Sequence, residues 1–215
     1  MEVRAERVAV RGAHGPLLEP TSLAIEAGQL SLVRGEPGGG HTEFGLALTG
    51  RLRPSTGQTT VDGRVDLARL REISALVDAP GITEPEPNLT LTEMVAEELA
   101  LHRRRASRAS VRNWLEQHGV GEHARSRVEA LPARVRTAVL TALAAERPGV
   151  ELLVLDTPDR HTANTQAWWP LALRQAERGR SVVVLCSTAS ARLLPIPAAR
   201  LGQDEQPEAL TVRAT

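Results

Sequence analysis

The stretch Gly35-Glu36-Pro37-Gly38-Gly39-Gly40-His41-Thr42 matches the phosphate-binding pattern G-x-x-x-x-G-K-[ST] everywhere except at the lysine, where His41 stands. Glycines at this spacing let backbone N–H groups converge on a phosphate, and a helix N-terminus behind them adds partial positive charge. Thr42 occupies the position whose hydroxyl binds Mg²⁺. No lysine elsewhere can stand in, because all 26 basic residues are arginine. The loop therefore predicts a nucleotide phosphate site formed by Gly35, Gly38, Gly39, Gly40, His41 and Thr42, with its main cation missing.

The flanking sequence supplies the strand–loop–helix context that such a loop requires. Leu30 to Arg34 is a short strand running into the glycines, and Thr42 to Arg51 has helical spacing with Phe44, Leu46, Ala47 and Leu48 available to a core. Upstream, Val3 to Arg11 and Ser22 to Glu26 alternate apolar and polar residues as strands do. Downstream, Gln58 to Val61 and Ile73 to Val77 read as strands, and Thr90 or Thr92 can cap a helix that starts near Glu93. Thr92 to Leu101, Ser110 to His118 and Arg134 to Glu146 carry helical spacing, which places an inserted helical subdomain at roughly 84–130. Val150 to Leu155, ending in Asp156, and Ser181 to Cys186 are short apolar runs suited to a parallel sheet covered on both faces. Ala209 to Val212 is expected as a final strand. The fold class is α/β: a P-loop NTPase-like, mostly parallel sheet core with an N-terminal antiparallel β part, in one domain over 1–215.

Composition narrows the possible roles. A chain of 215 residues can hold one full α/β core. Its formal net charge of zero gives no reason to expect nucleic acid as a partner. The single Cys186 excludes an intramolecular disulfide and, lying in an apolar run, reads as a buried inert thiol. No apolar run approaches the roughly 18 residues that a membrane span needs.

The order of these motifs resembles an ATP-binding cassette (ABC) ATPase, the nucleotide-binding subunit of ABC transporters, over essentially the whole chain. Thr21 to Gly28 is similar to that family's strand before the phosphate loop, and Gly50-Arg51-Leu52-Arg53-Pro54-Ser55-Thr56-Gly57 to the segment that follows its first helix. Asn88-Leu89-Thr90-Leu91-Thr92-Glu93 resembles the entry to the family's helical subdomain. Leu152-Leu153-Val154-Leu155-Asp156 resembles Walker B, which implies that Asp156 and Thr42 would hold Mg²⁺.

The resemblance also shows departures at the catalytic positions. His41 replaces the lysine, Thr157 the glutamate that polarises the attacking water, and Ser187 the switch histidine. Asp78 falls at the Q-loop glutamine, Leu131-Pro132-Ala133-Arg134-Val135 at the L-S-G-G-Q signature, and Ala163 near the D-loop aspartate. Pro132 removes an N–H, while Ala133 and Arg134 place side chains where glycines allow close approach. Arg134 could instead offer a guanidinium to a partner's phosphate. Gly12, Ala13 and His14 stand where an aromatic would stack on adenine.

The resemblance implies ATP and Mg²⁺ as cofactors, a membrane permease subunit as partner, and a homo- or heterodimer with another ABC subunit. It further implies a cytoplasmic location at the inner face of the cell membrane, reached through that partner. The departures imply weak ATP binding and deficient hydrolysis, a pseudoenzyme. A slow but genuine ABC ATPase and a soluble regulatory binding protein that keeps the fold are the alternatives. His118 and His123 lack a third ligand pattern for a metal. His161 reads as a loop surface residue, with a nucleotide contact as the alternative, and Trp168-Trp169 as core packing or a partner anchor.

Overall fold

The computed structural model describes residues 1–212. Two N-terminal strands, β1 (Glu2–Gly12) and β2 (Gly15–Glu26), precede β3 (Gln29–Gly35), the phosphate-type loop and helix α1 (His41–Leu48). Then come β4 (Thr56–Val61), α2 (Leu67–Ile73), β5 (Ser74–Val77), α3 (Leu91–Leu101), α4 (Arg108–Gln117), α5 (Ala133–Ala145) and β6 (Leu152–Asp156). The chain continues through α6 (Trp169–Glu177), β7 (Ser181–Ser187), α7 (Thr188–Ala191), β8 (Ala198–Arg200) and β9 (Leu210–Thr211).

Two sheets result. β2-β1-β4 is antiparallel, and β5-β6-β7-β3-β8 is parallel, with β9 added antiparallel beside β3. The parallel order follows from the apolar runs: every residue of β6 and all but the last of β7 are buried, as strands covered on both faces require. Alternation then sorts side chains onto two faces. Leu153, Leu155, Val182 and Val184 join the cluster formed with α3, α4, α5 and α6. Leu152, Val154, Val183 and Leu185 join Phe44, Leu48, Leu70 and the small antiparallel sheet on the other.

α3 begins where Thr90 caps it: its hydroxyl accepts from Glu93 N, and the Glu93 carboxylate accepts from Thr90 N at 2.8 Å. Some local features differ from the expectations. β2 starts at Gly15 rather than near Ser22, because Pro16 and Pro20 lie on an edge strand, where a missing N–H is tolerated. α2, only seven residues long, is too short to show a helical period; Asp66 caps it by accepting from Arg69 N at 2.8 Å. Trp168 and Trp169 are both buried, which agrees with the core-packing reading.

Candidate functional site

β6, β7 and β3 are neighbours, with Asp156 opposite Leu185 and Gly35 opposite Ser187. Their carboxyl ends therefore bring Asp156, Ser187 and Gly35 to one rim of the sheet, the edge at which open α/β sheets bind ligands. The loop leaves β3 there and enters α1 through Gly40, which has φ 93° and no side-chain cap.

The glycines are required by space as well as by conformation. A Cβ on Gly40 would lie 2.5 Å from the Leu17 carbonyl oxygen, and one on Gly39 2.9 Å from that of Glu36. Gly40→Ala is therefore expected to cost at least about 2 kcal/mol, from the left-handed backbone and the contact with Leu17 together. Denaturant melts would check this; a variant as stable as the parent would show that the loop relaxes freely.

Thr42 and Asp156, 114 residues apart, meet: the Thr42 hydroxyl donates to Asp156 Oδ2 at 2.6 Å. Asp156 is 1% exposed, and its other oxygen accepts from Thr157 Oγ1 at 3.2 Å. Burial pushes the Asp156 carboxyl upward, against the opposing pull of Thr42, Thr157, Arg160 and His41. A buried carboxylate met by hydroxyls beside the glycine loop is a hard-oxygen donor set that suits Mg²⁺. These two residues fit the ion; the remaining ligands would come from nucleotide and water, since no cluster of three His, Cys, Asp or Glu among the described residues could hold a metal.

The other expected residues are engaged elsewhere. The His41 ring is buried, and its Nε2 donates to the Cys186 carbonyl at 3.0 Å. It packs over Gly35, whose added Cβ would lie 3.0 Å from the ring. His41 thus braces the loop against β7. Thr157 lies beside Asp156 with φ 45° and ψ 55°, a left-handed conformation costly for a β-branched residue. Ser187 caps α7 by accepting from Ser190 N at 3.2 Å, and its own N–H donates to Asp159 Oδ2 at 2.9 Å. The Cys186 thiol is buried and pushed up to about 12, first by burial and then by Asp159.

Next to this rim lies a charged cluster. Asp78 directly follows β5 with φ 59°, a region aspartate tolerates. Arg136 of α5 donates to both of its oxygens, Nε to Oδ2 at 2.9 Å and Nη2 to Oδ1 at 2.7 Å. Arg160 Nη2 stands 3.0 Å from Oδ1, and His161 Nε2 3.0 Å from Oδ2. Glu84 adds a second carboxylate, 3.2 Å from Arg160. Burial would raise Asp78, but the His161 and Arg136 hydrogen bonds and the arginine charges hold it down at about 2. His161 is therefore no free surface residue. Arg136 and Arg160 were not singled out in the sequence; an arginine in the first turn of α5 and another four residues past Asp156 were the available signs. Arg134, two residues before Arg136, is exposed.

No protein-family model matches the chain. Over 169 residues, 74% of this chain and 71% of the relative, it is 30% identical to the biotin transport ATP-binding protein BioM of Rhizobium etli. Its fold matches a solved ATP-binding subunit of an ABC transporter with a TM-score of 0.66 and 16% identity, covering 99% of this chain and 90% of that one. It also matches a Pyrococcus furiosus protein described as an ABC transporter ATP-binding protein, with a TM-score of 0.67 and 17% identity over 93% of this chain and 96% of that one. At these identities the two solved structures speak for the fold alone.

Proposed function

Because this chain belongs to the ATP-binding subunits of ABC transporters, we propose that it serves as a weakly nucleotide-binding, hydrolysis-deficient subunit coupled to a membrane permease. The observation that carries this reading is the commitment of His41 to the Cys186 carbonyl at 3.0 Å. A phosphate in the loop would meet backbone N–H groups and the α1 N-terminus, but no lysine ammonium. When bound, Mg²⁺ supplies charge neutralisation on the phosphate oxygens; Thr42 and Asp156 are the residues that would hold it.

Thr157 supports the second half of the proposal. It stands next to Asp156, where the family's glutamate polarises water, and a hydroxyl cannot take up a proton as a carboxylate does. Phosphoryl transfer depends chiefly on positioning and electrostatic stabilisation, and this site lacks both the cation and the base. The paired Thr42 and Asp156 favour the alternative of a slow but genuine ATPase.

Coupling to a permease is proposed for the segment from Asp78 to Leu101. Ile82 and Leu101, 51% and 74% exposed, place apolar side chains on its surface. Among the described residues no helix is long and apolar enough to cross a membrane, so the spanning part would be the partner's. We further propose that the helices within 84–130 form a subdomain that moves with this segment.

The purified chain with Mg²⁺ and ATP provides the test. Binding is expected to be weak, with turnover no greater than that of Asp156→Ala. Clear turnover that disappears in Asp156→Ala would overturn the hydrolysis-deficient reading, and failure to co-purify with a co-expressed permease would overturn the coupling.

A further inference from the structure

Arg160 links the buried cluster to the candidate Mg²⁺ residue. Its Nη1 donates to the Asp78 carbonyl at 2.6 Å and to the Asp156 carbonyl at 2.9 Å. Its Nη2 is held by the Asp78 carboxylate at 3.0 Å and by Glu84 at 3.2 Å. Asp78 is in turn clasped by Arg136 at the start of α5, and the Asp156 side chain holds Thr42. Polar contacts therefore run without a gap from α5 through Asp78, Arg160 and Asp156 to the first turn of α1.

We propose that Asp78 and Arg160 are positioning residues: together with Arg136 they form a fixed relay that holds the Asp156–Thr42 pair in place for Mg²⁺ and ties it to the start of α5. The proposal rests on the reading of Thr42 and Asp156 as the Mg²⁺ pair. Three features support a rigid relay over a surface ion cluster. Arg136 and Asp78 side chains are each 7% exposed, so solvent screens their attraction little. The Arg136 contact is a two-bond fork, which fixes orientation as well as distance. The fixed charges also pair off, with Asp78 and Glu84 facing Arg136 and Arg160, and His161 adds a further hydrogen bond to Asp78.

A fixed Asp156 is pre-arranged for the ion, so its benefit should appear only when Mg²⁺ is present. A merely structural role would weaken binding with and without the metal alike.

Arg160→Gln is the first variant, because Asp78 keeps Arg136 and no buried charge is stranded. Asp78→Asn/Arg136→Gln, which removes both members of the buried pair, is the second. In the nucleotide-free chain, hydrogen exchange at residues 42–45 and 157–162 is expected to accelerate about tenfold in both variants, with a nearly unchanged melting temperature. Unchanged exchange in those segments would overturn the relay, whatever the chain does with nucleotide. In titrations with a fluorescent ATP analogue, the extra affinity conferred by Mg²⁺ is expected to shrink about fivefold or more, while metal-free affinity stays constant. Equal losses with and without Mg²⁺ would also overturn it. Absence of nucleotide binding by the parent would count against the proposed function, and the exchange measurement would still decide the relay.

Discussion

Asp78→Ala is expected to lower stability by about 3–5 kcal/mol, the largest single-residue effect outside the hydrophobic core. The reason is Arg136, whose side chain is 7% exposed and would remain charged with only the exposed Glu84 at 3.5 Å as its carboxylate. Asp78→Asn/Arg136→Gln removes both charges of that pair and should cost far less. The Asp78 carboxyl, held by His161, Arg136 and Arg160, also sets an acid limit. It is held at about 2 in the folded chain and lies near 3.9 in the unfolded one, so between these values the unfolded chain binds more protons. This contribution, shared among the His161 and Arg136 hydrogen bonds and the charges of Arg160 and Arg136, is present above about pH 4 and is lost as pH falls toward 2, an effect of about 2.5 kcal/mol. Denaturant melts at pH 7 and across pH 4 to 2 would measure both effects. A wild type and a double variant with parallel acid profiles would mean that the pair carries no such energy.

The second large effect concerns the loop. His41→Lys should tighten binding of Mg²⁺-ATP by about ten- to a hundredfold, the value of one charge-assisted hydrogen bond to phosphate. The same change removes the hydrogen bond to Cys186 and should cost about 1 kcal/mol of stability. Turnover should not appear, because Thr157 still provides no base beside Asp156. Equilibrium titration of both proteins measures the gain. An unchanged affinity would show that some other feature limits binding, with the missing stacking aromatic at Gly12 to His14 the next place to look.

The parts legible in the sequence were those encoded locally. The glycine loop announces itself because only glycine suits Gly40, with its φ of 93° and the Leu17 carbonyl close by. The runs at β6 and β7 announce a two-faced sheet because nothing polar can be left unpartnered there. Thr90 announces α3 because a capping box needs only four consecutive residues. By contrast α2 went unseen, being shorter than the window in which a helical period shows.

The tertiary structure decided the electrostatics. Sequence reading marked His41 as a weakened phosphate ligand, but its bond to Cys186 spans 145 residues and depends on β7 lying beside β3. It marked Asp78 as a replaced glutamine, but Arg136 is 58 residues away and Arg160 donates to the Asp78 carbonyl across 82. Nothing in local spacing pairs these residues; the order β5-β6-β7-β3 and the packing of α5 do. The sequence by itself determined the family of the fold and where its loop lies, because those rest on backbone conformation and burial, which each short segment encodes alone. Where each charge points was decided only when distant segments shared one low-dielectric interior.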